Sequence, residues 1–351
     1  MTMPSEKRLA KGLWWDRNWS VLEGCTPCSP ACDNCFAAEY AHRFAGSLPY
    51  LRGLTNADGK WNGTVLMRQD QLDLPLRTKK PTVWFVAERS DLFHPAVSDE
   101  YLDRIFAVIA LAPQHTFMVL TKRPERMAAY FRGWVDGVKT VKTSAPNIIG
   151  ELRLPLPNLW LGTTIWDQAS ADRNIPVLLQ TRAENRFVSI EPMLGPINLA
   201  SHFWPQRLWK RDQVAFAEKA HEYIDCMIPM LDWVICGLES GRNARPGHPA
   251  WVRAQRDQCA AAGVPFFFKQ WGEWAQCDPD SEAARSTPHS GYCSPVAHTS
   301  FAEQQRSYCY PGGKIKGERA LIEDGFCYVA RVGKKASGRL LDGKEHLEFP
   351  K

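Results

Sequence analysis

Four cysteines, Cys25, Cys28, Cys32 and Cys35, fall within eleven residues in the stretch GCTPCSPACDNCF. Thiolates this close, in a loop broken by Pro27 and Pro30, can wrap one multi-iron cluster. Two three-cysteine readings coexist: Cys28, Cys32 and Cys35 give C-x3-C-x2-C, and Cys25, Cys32 and Cys35 give C-x6-C-x2-C. A cluster held by three thiolates leaves one iron open for chemistry, whereas one held by four carries electrons or holds the fold. A structural zinc is the main rival. It usually takes two Cys-x2-Cys knuckles separated by a longer loop, and here the two pairs are only three residues apart. A disulfide is disfavoured in a reducing compartment. The other seven cysteines are scattered, but Cys277, Cys293 and Cys309 recur every sixteen residues and form a candidate second ligand set.

A second group of residues follows short apolar runs. Glu88, Arg89, Ser90, Asp91 and then His94 follow TVWFVA; Thr121, Lys122 and Arg123 follow TFMVL. Thr163 and Thr164 end NLWLGTT, Ser189 lies within RFVSI and Glu191 follows it, Glu239 and Ser240 follow DWVICGL, and Lys269 follows PFFF. At the C-terminal ends of parallel strands such residues face substrate. Lys122, Glu191 and Lys269 are the candidate catalytic groups; Ser90, Asp91, Thr121, Thr163, Ser189, Glu239 and Ser240 are the candidate cofactor-binding groups. Carboxylates there can accept from an amino group or ribose hydroxyls, and lysines can hold a carboxylate or phosphate as point charges. For any single residue, exposure at a strand end is an equal explanation; the whole set points to a site. His94 reads as a helix cap or a packed side chain in preference to a catalytic group. Walker, G-x-G-x-x-G, G-x-S-x-G and H-E-x-x-H sequences are absent, which argues against nucleotide hydrolysis and serine or zinc-protease chemistry.

These groups need a scaffold. The chain has 351 residues, 44% apolar and 23% charged, enough to bury a core and too apolar for intrinsic disorder. Lys+Arg minus Asp+Glu is 43 − 38 = +5, mildly basic and compatible with a polyanionic partner. No stretch reaches the ~20 apolar residues of a membrane span, and the first residues lack the apolar run of a secretory signal, so the expected location is cytoplasmic, with no membrane association. Apolar runs at 65–68, 82–87, 116–121, 159–164, 186–190, 231–237 and 265–269 read as buried strands. Amphipathic segments at 99–111, 123–132, 167–181 and 248–262 read as helices, with Gly263 placed to stop the last. A further strand at 20–23 makes about eight. The expectation is α/β: a (β/α)8-like or partial parallel barrel, with an open doubly wound sheet as the alternative. The barrel domain is expected over 1–275 with a helical insertion at about 198–229, followed by an irregular C-terminal extension over 276–351. Within the insertion, Trp204 and Trp209 interleave Arg207, Lys210 and Arg211, a pattern that can stack bases and hold phosphates, though an ordinary solvated helix face is the favoured explanation.

The ordered motifs GC-x6-C-x2-CFAAEYAHRF, SDLFHP, LTKRPERM, RFVSIEPMLGP, DWVICGLESGRNARP and PFFFKQWGEW resemble a three-Cys-motif family of unknown function found in phages and prophages. The resemblance runs from about Trp14 to Trp274 and returns at GRLLDG. That family is similar to radical S-adenosylmethionine (SAM) enzymes, which implies a full or partial barrel with a [4Fe–4S] cluster on a three-Cys loop after the first strand. It also implies SAM bound at the open iron and cleaved reductively, and an electron-donor protein. The family pattern favours Cys25, Cys32 and Cys35 as ligands; the usual radical SAM spacing favours Cys28, Cys32 and Cys35. Radical SAM loops tend to carry an aromatic just before the last cysteine, and here Asn34 stands there. Phage association and basicity imply a nucleic-acid or nucleotide substrate. The alternative from another class is a zinc- or cluster-stabilised, non-catalytic nucleic-acid-binding protein.

Overall fold

A computed structural model describes residues 2–144, 147–203, 230–277, 281–282, 286, 290–293 and 327–350. Seven parallel strands form its main sheet: β1 (Arg17–Trp19), β2 (Val83–Val86), β3 (Thr116–Thr121), β4 (Leu159–Ile165), β5 (Asn185–Ile190), β6 (Trp233–Gly237) and β7 (Phe266–Gln270). They lie side by side in chain order, every neighbouring pair parallel. Parallel neighbours need crossover connections. The crossovers carry helices α1 (Phe36–Phe44), α2 (Asp99–Leu111), α3 (Pro124–Arg132), α4 (Gln168–Leu179) and α5 (Pro249–Ala262). Local chemistry sets the helix ends. The Ser98 hydroxyl accepts from Tyr101 N at the start of α2, Asp167 and Ser170 form a capping box on α4, and Gly263 closes α5 in the left-handed conformation.

Alternation along each strand builds two cores. Outward residues such as Trp84, Phe117, Leu161, Val188 and Val234 pack against Ile105, Ile109, Ile175 and Val252 of the helices. Inward residues Phe85, Met118, Trp160, Phe187, Trp233 and Phe267 pack around Trp14 and Trp15. The inward core shows the sheet to be curled. The Trp14 ring lies 4.7 Å from Phe85 of β2 and 5.9 Å from Trp233 of β6. In a flat sheet those strands would stand roughly 19 Å apart, at about 4.8 Å per strand, too far for one indole to touch both. The sheet is therefore a partial barrel, open between β1 and β7.

Two distant segments cover that opening. Arg339 Nη1 donates to Leu9 O at 2.9 Å, and Gly12 lies against Lys269 O. Residues 346–349 run along the free edge of β7: Phe268 N donates to His346 O, Leu347 bridges Phe267, and the Phe349 ring sits 4.6 Å from Trp233.

The structure corrects several expectations. The main sheet has seven strands. Its first strand is Arg17–Trp19, and Leu22–Glu23 instead pairs antiparallel with Leu66–Met67 in a separate ribbon. Segment 65–68 is therefore no barrel strand, and the apolar Val21 and Leu22 drew the expectation too far along the chain. A hairpin, Val138–Ser144 with Asn147–Arg153, lies between β3 and β4. Beyond β7, Trp274–Gln276, Cys327–Arg331 and Ser290–Cys293 form a three-stranded antiparallel sheet. Ala200–Phe203 is helical. The rest of the expected insertion, with Trp204, Arg207, Trp209, Lys210 and Arg211, lies outside the described residues, as does most of 278–313. Among the described residues no helix is long and apolar enough to cross a membrane.

Candidate active site

The C-terminal ends of the strands open into a cavity of about 340 Å³. Cys25, Cys28, Cys32 and Cys35 all line it, on the loop that joins β1 to α1. Gly24 begins this loop with φ 86°, and a Cβ there would stand 2.2 Å from Thr64 O, so only glycine fits. The loop is held from two sides. On one, Arg123 Nη2 donates to Thr26 O (2.7 Å) while its Nη1 reaches Asp91 (2.9 Å) and Cys25 Sγ (3.7 Å). On the other, the buried Arg245 donates to Pro30 O (3.1 Å), pairs with Asp33 (3.3 Å) and clasps Glu239 through Nε (2.8 Å) and Nη2 (2.6 Å). Asn34 donates to Glu239 (3.1 Å) and to Asn243 O (2.8 Å). Asn34 thus fastens the loop to the end of β6.

Electrostatics differ between the thiols. Burial, with the Asp91 carboxylate behind it, pushes Cys25 up to about 11 against the pull of Arg123. The Cys28–Cys32 hydrogen bond lowers Cys32 and raises Cys28. Lys122 is held above its ordinary value: burial opposes this, but the negative charge that the neighbouring cysteines and Asp91 can carry outweighs it. Among the described side chains no group of three or more His, Cys, Asp or Glu converges to chelate a single ion. A multi-iron cluster does not need that convergence, because its ligands bind different irons. The donor set fits such a cluster: four soft thiols on one cavity wall, with Lys122 and Arg123 beside them to offset thiolate charge.

The opposite wall carries a different set. Lys269 Nζ contacts both Glu191 oxygens at 2.8 Å, and Gln270 Nε2 adds a third bond at 3.2 Å. Glu88, which accepts from Asn18, is raised above its ordinary value by burial. Trp15 and Phe85 line the cavity from the inward core, and Lys269 stands 5.7 Å from the Trp15 ring.

The structure brings the candidate residues together with one exception. Ser90, Asp91, Thr121, Lys122, Ser189, Glu191, Glu239, Ser240 and Lys269 all line the cavity with the cysteines. Thr163 does not: it is fully buried and donates to Thr121 O (3.0 Å), and Thr164, one position on, lines the cavity instead. Their tasks differ. Asp91 accepts from Thr121 (2.6 Å), Lys122 N, Arg123 and Phe93 N, which makes it the organiser of the end of β3. Ser90 donates to Gly24 O. Glu239 is consumed by Arg245 and Asn34, so it braces the loop. His94 Nδ1 accepts a hydrogen bond from Ala96 N, which places the ring's own proton on Nε2, bonded to Thr26 Oγ1 (2.9 Å). Asn34 and Arg245 were missed as site residues; the motif GRNARP carried Arg245, but nothing in its spacing pairs it with Glu239. In the antiparallel sheet the backbone of Cys293 stands in register opposite that of Cys327 and Cys277 N donates to Tyr328 O, while Cys309 lies outside the described residues.

Two solved structures are similar to the chain at low level. A point mutant of spore photoproduct lyase is 10% identical with a TM-score of 0.31. A spore photoproduct lyase complexed with dinucleoside spore photoproduct is 13% identical with a TM-score of 0.30. Each alignment covers 87% of this chain and 73% of that one. No curated protein matches the chain. One family spans nearly all of it, residues 10–350, and the chain belongs to that family, described as "Protein of unknown function (DUF5131)".

Proposed function

We propose that the protein is an iron–sulfur enzyme of radical SAM type that modifies a nucleic-acid or nucleotide substrate. One observation carries the reading: the four thiols of the loop after β1 line the same cavity as polar side chains from the C-terminal ends of β2 to β7. Cys32, Cys35 and the half-buried Cys25 beside Arg123 would hold a [4Fe–4S] cluster, leaving the exposed Cys28 as the spare thiol. Bound there with SAM, the cluster would supply the electron for reductive cleavage of SAM, whose released carbon fragment would be able to abstract a hydrogen atom. The chain's own residues orient and enclose. Lys122 and Arg123 offset the negative charge of the thiolates, and Arg245, Glu239 and Asn34 fix the loop. Ser189 and Thr164 present hydroxyls, and Trp15 and Phe85 give an apolar wall that excludes water.

The test is anaerobic purification, reconstitution with iron and sulfide, metal analysis, and EPR of the reduced protein with and without SAM. The expected result is about four irons per chain, as one cubane requires, and a spectrum perturbed by SAM. Cys25→Ser should lose the iron and Cys28→Ser should keep it. Stoichiometric zinc, or a cluster indifferent to SAM, would overturn the proposal and favour a non-catalytic nucleic-acid-binding protein.

A further inference from the structure

The cavity's charges can be paired off one by one. Arg123 is neutralised by Asp91, Lys269 by Glu191, Arg89 by Glu23 and Glu239 by Arg245. That leaves Glu88, which already accepts from Asn18, and two lysines, Lys122 and Lys334. Among the described residues neither lysine has a carboxylate within ion-pairing distance. Lys122 faces the thiols, so its charge serves the loop. Lys334 has no such duty. Its charged neighbours are Lys269, Glu191 and Glu273. Glu191 is already held by Lys269, and Glu273 accepts from Gly241 N (3.1 Å) and approaches Arg331.

Lys334 reaches the cavity from the far end of the chain, and its placement is built. Val332 N and Gly333 N both donate to Glu273 O at 3.0 Å, Ser337 Oγ donates to Gly272 O (2.5 Å), and Trp271 N donates to Gly338 O (3.1 Å). Four bonds thus dock segment 332–338 on the turn that follows β7. The side chain is exposed at the rim, where the outer part of a ligand too large for a cavity of about 340 Å³ would lie. An ammonium with no carboxylate partner among the described residues, on a fixed segment that lines the cavity, is a receptor for an anion, and a lysine suits phosphate as a point charge.

We infer that Lys334 anchors the substrate at the cavity mouth by a phosphate of its backbone. This deepens the proposed function and rests on its assignment of the cavity as the active site. The test is fluorescence anisotropy with labelled hexathymidylate and with its uncharged methylphosphonate counterpart, on the full chain. Wild type should bind the charged hexamer well and the neutral one poorly. Lys334→Met should weaken the charged hexamer about tenfold and lower the salt slope of its log K by about 0.7, the value of one single-strand phosphate contact. Lys335→Met, beside it and not lining the cavity, should leave both unchanged. Equal binding of the two hexamers by wild type, or unchanged affinity and slope in Lys334→Met, would overturn the inference. Because binding is read without the cluster, a failure here with a SAM-responsive spectrum intact would refute only the phosphate anchor.

Discussion

Replacing Arg245 by methionine should loosen the cysteine loop before it disturbs the barrel. Arg245 and Glu239 have side chains only 5% exposed, and removing one partner of a buried pair costs about 3–5 kcal/mol. Glu239 would keep two donors, the Arg245 backbone N–H (2.7 Å) and Asn34 (3.1 Å), so the lower end applies. Pro30 O would also lose its partner, and the lost contacts all bear on the loop. At about 1.4 kcal/mol per tenfold, a local loss of about 3 kcal/mol raises the open population of the loop roughly a hundredfold. The assay is alkylation of Cys32 and Cys35 by iodoacetamide, read by mass spectrometry, beside urea unfolding of the whole chain. Labelling should accelerate by one to two orders of magnitude. Arg245→Lys, which keeps the charge without the fork, should fall between. If labelling changes less than threefold and stability by under about 1 kcal/mol, the Arg245–Glu239 clasp does not hold the loop.

Two further outcomes test the wall and the loop. Glu88 titrates above its ordinary value of 4.5 because of burial, so its contribution to stability is full below that pH and is lost as pH rises through the folded value. Glu88→Gln should therefore gain on wild type as pH rises above 4.5 in urea titrations, and a gap that stays flat or narrows would refute the assignment. Gly24→Ala places a methyl 2.2 Å from Thr64 O at a positive φ and should cost more than about 2 kcal/mol; a change within about 0.5 kcal/mol, judged by the same urea midpoints, would show that the loop start can shift.

The parallel barrel was legible because buried strands write themselves as apolar runs: TFMVLT coincides with β3, and RFVSI with all but the first residue of β5. The edge was less legible. β1 reads Arg-Asn-Trp, with only Trp19 buried, and has no apolar signature of its own. Thr163 and Thr164 show a second limit. Where both faces of a strand are buried, periodicity does not say which face looks inward, and the choice falls one residue off. The third limit is pairing at long range. Glu239 looked like a free acceptor because the position of Arg245, Asn34 and their loop contacts becomes evident only once the chain is folded. The tail looked irregular because its strands are short and its contribution to the cavity, Lys334, lies more than sixty residues beyond the last barrel strand.

The seam between β1 and β7 has a kinetic implication. Arg339 bonds Leu9, and Leu347 and Phe349 finish the inward core around Trp233 and Phe267. The Arg339–Leu9 bond joins parts of the chain 330 residues apart, and long loops must close before such contacts reward them. During synthesis the strands and their helices can pack in order, but the inward core stays unfinished until Leu347 and Phe349 are in place. Closure of the inward core is therefore a late event of folding, because residues 9–15 and 339–349 must meet to complete it.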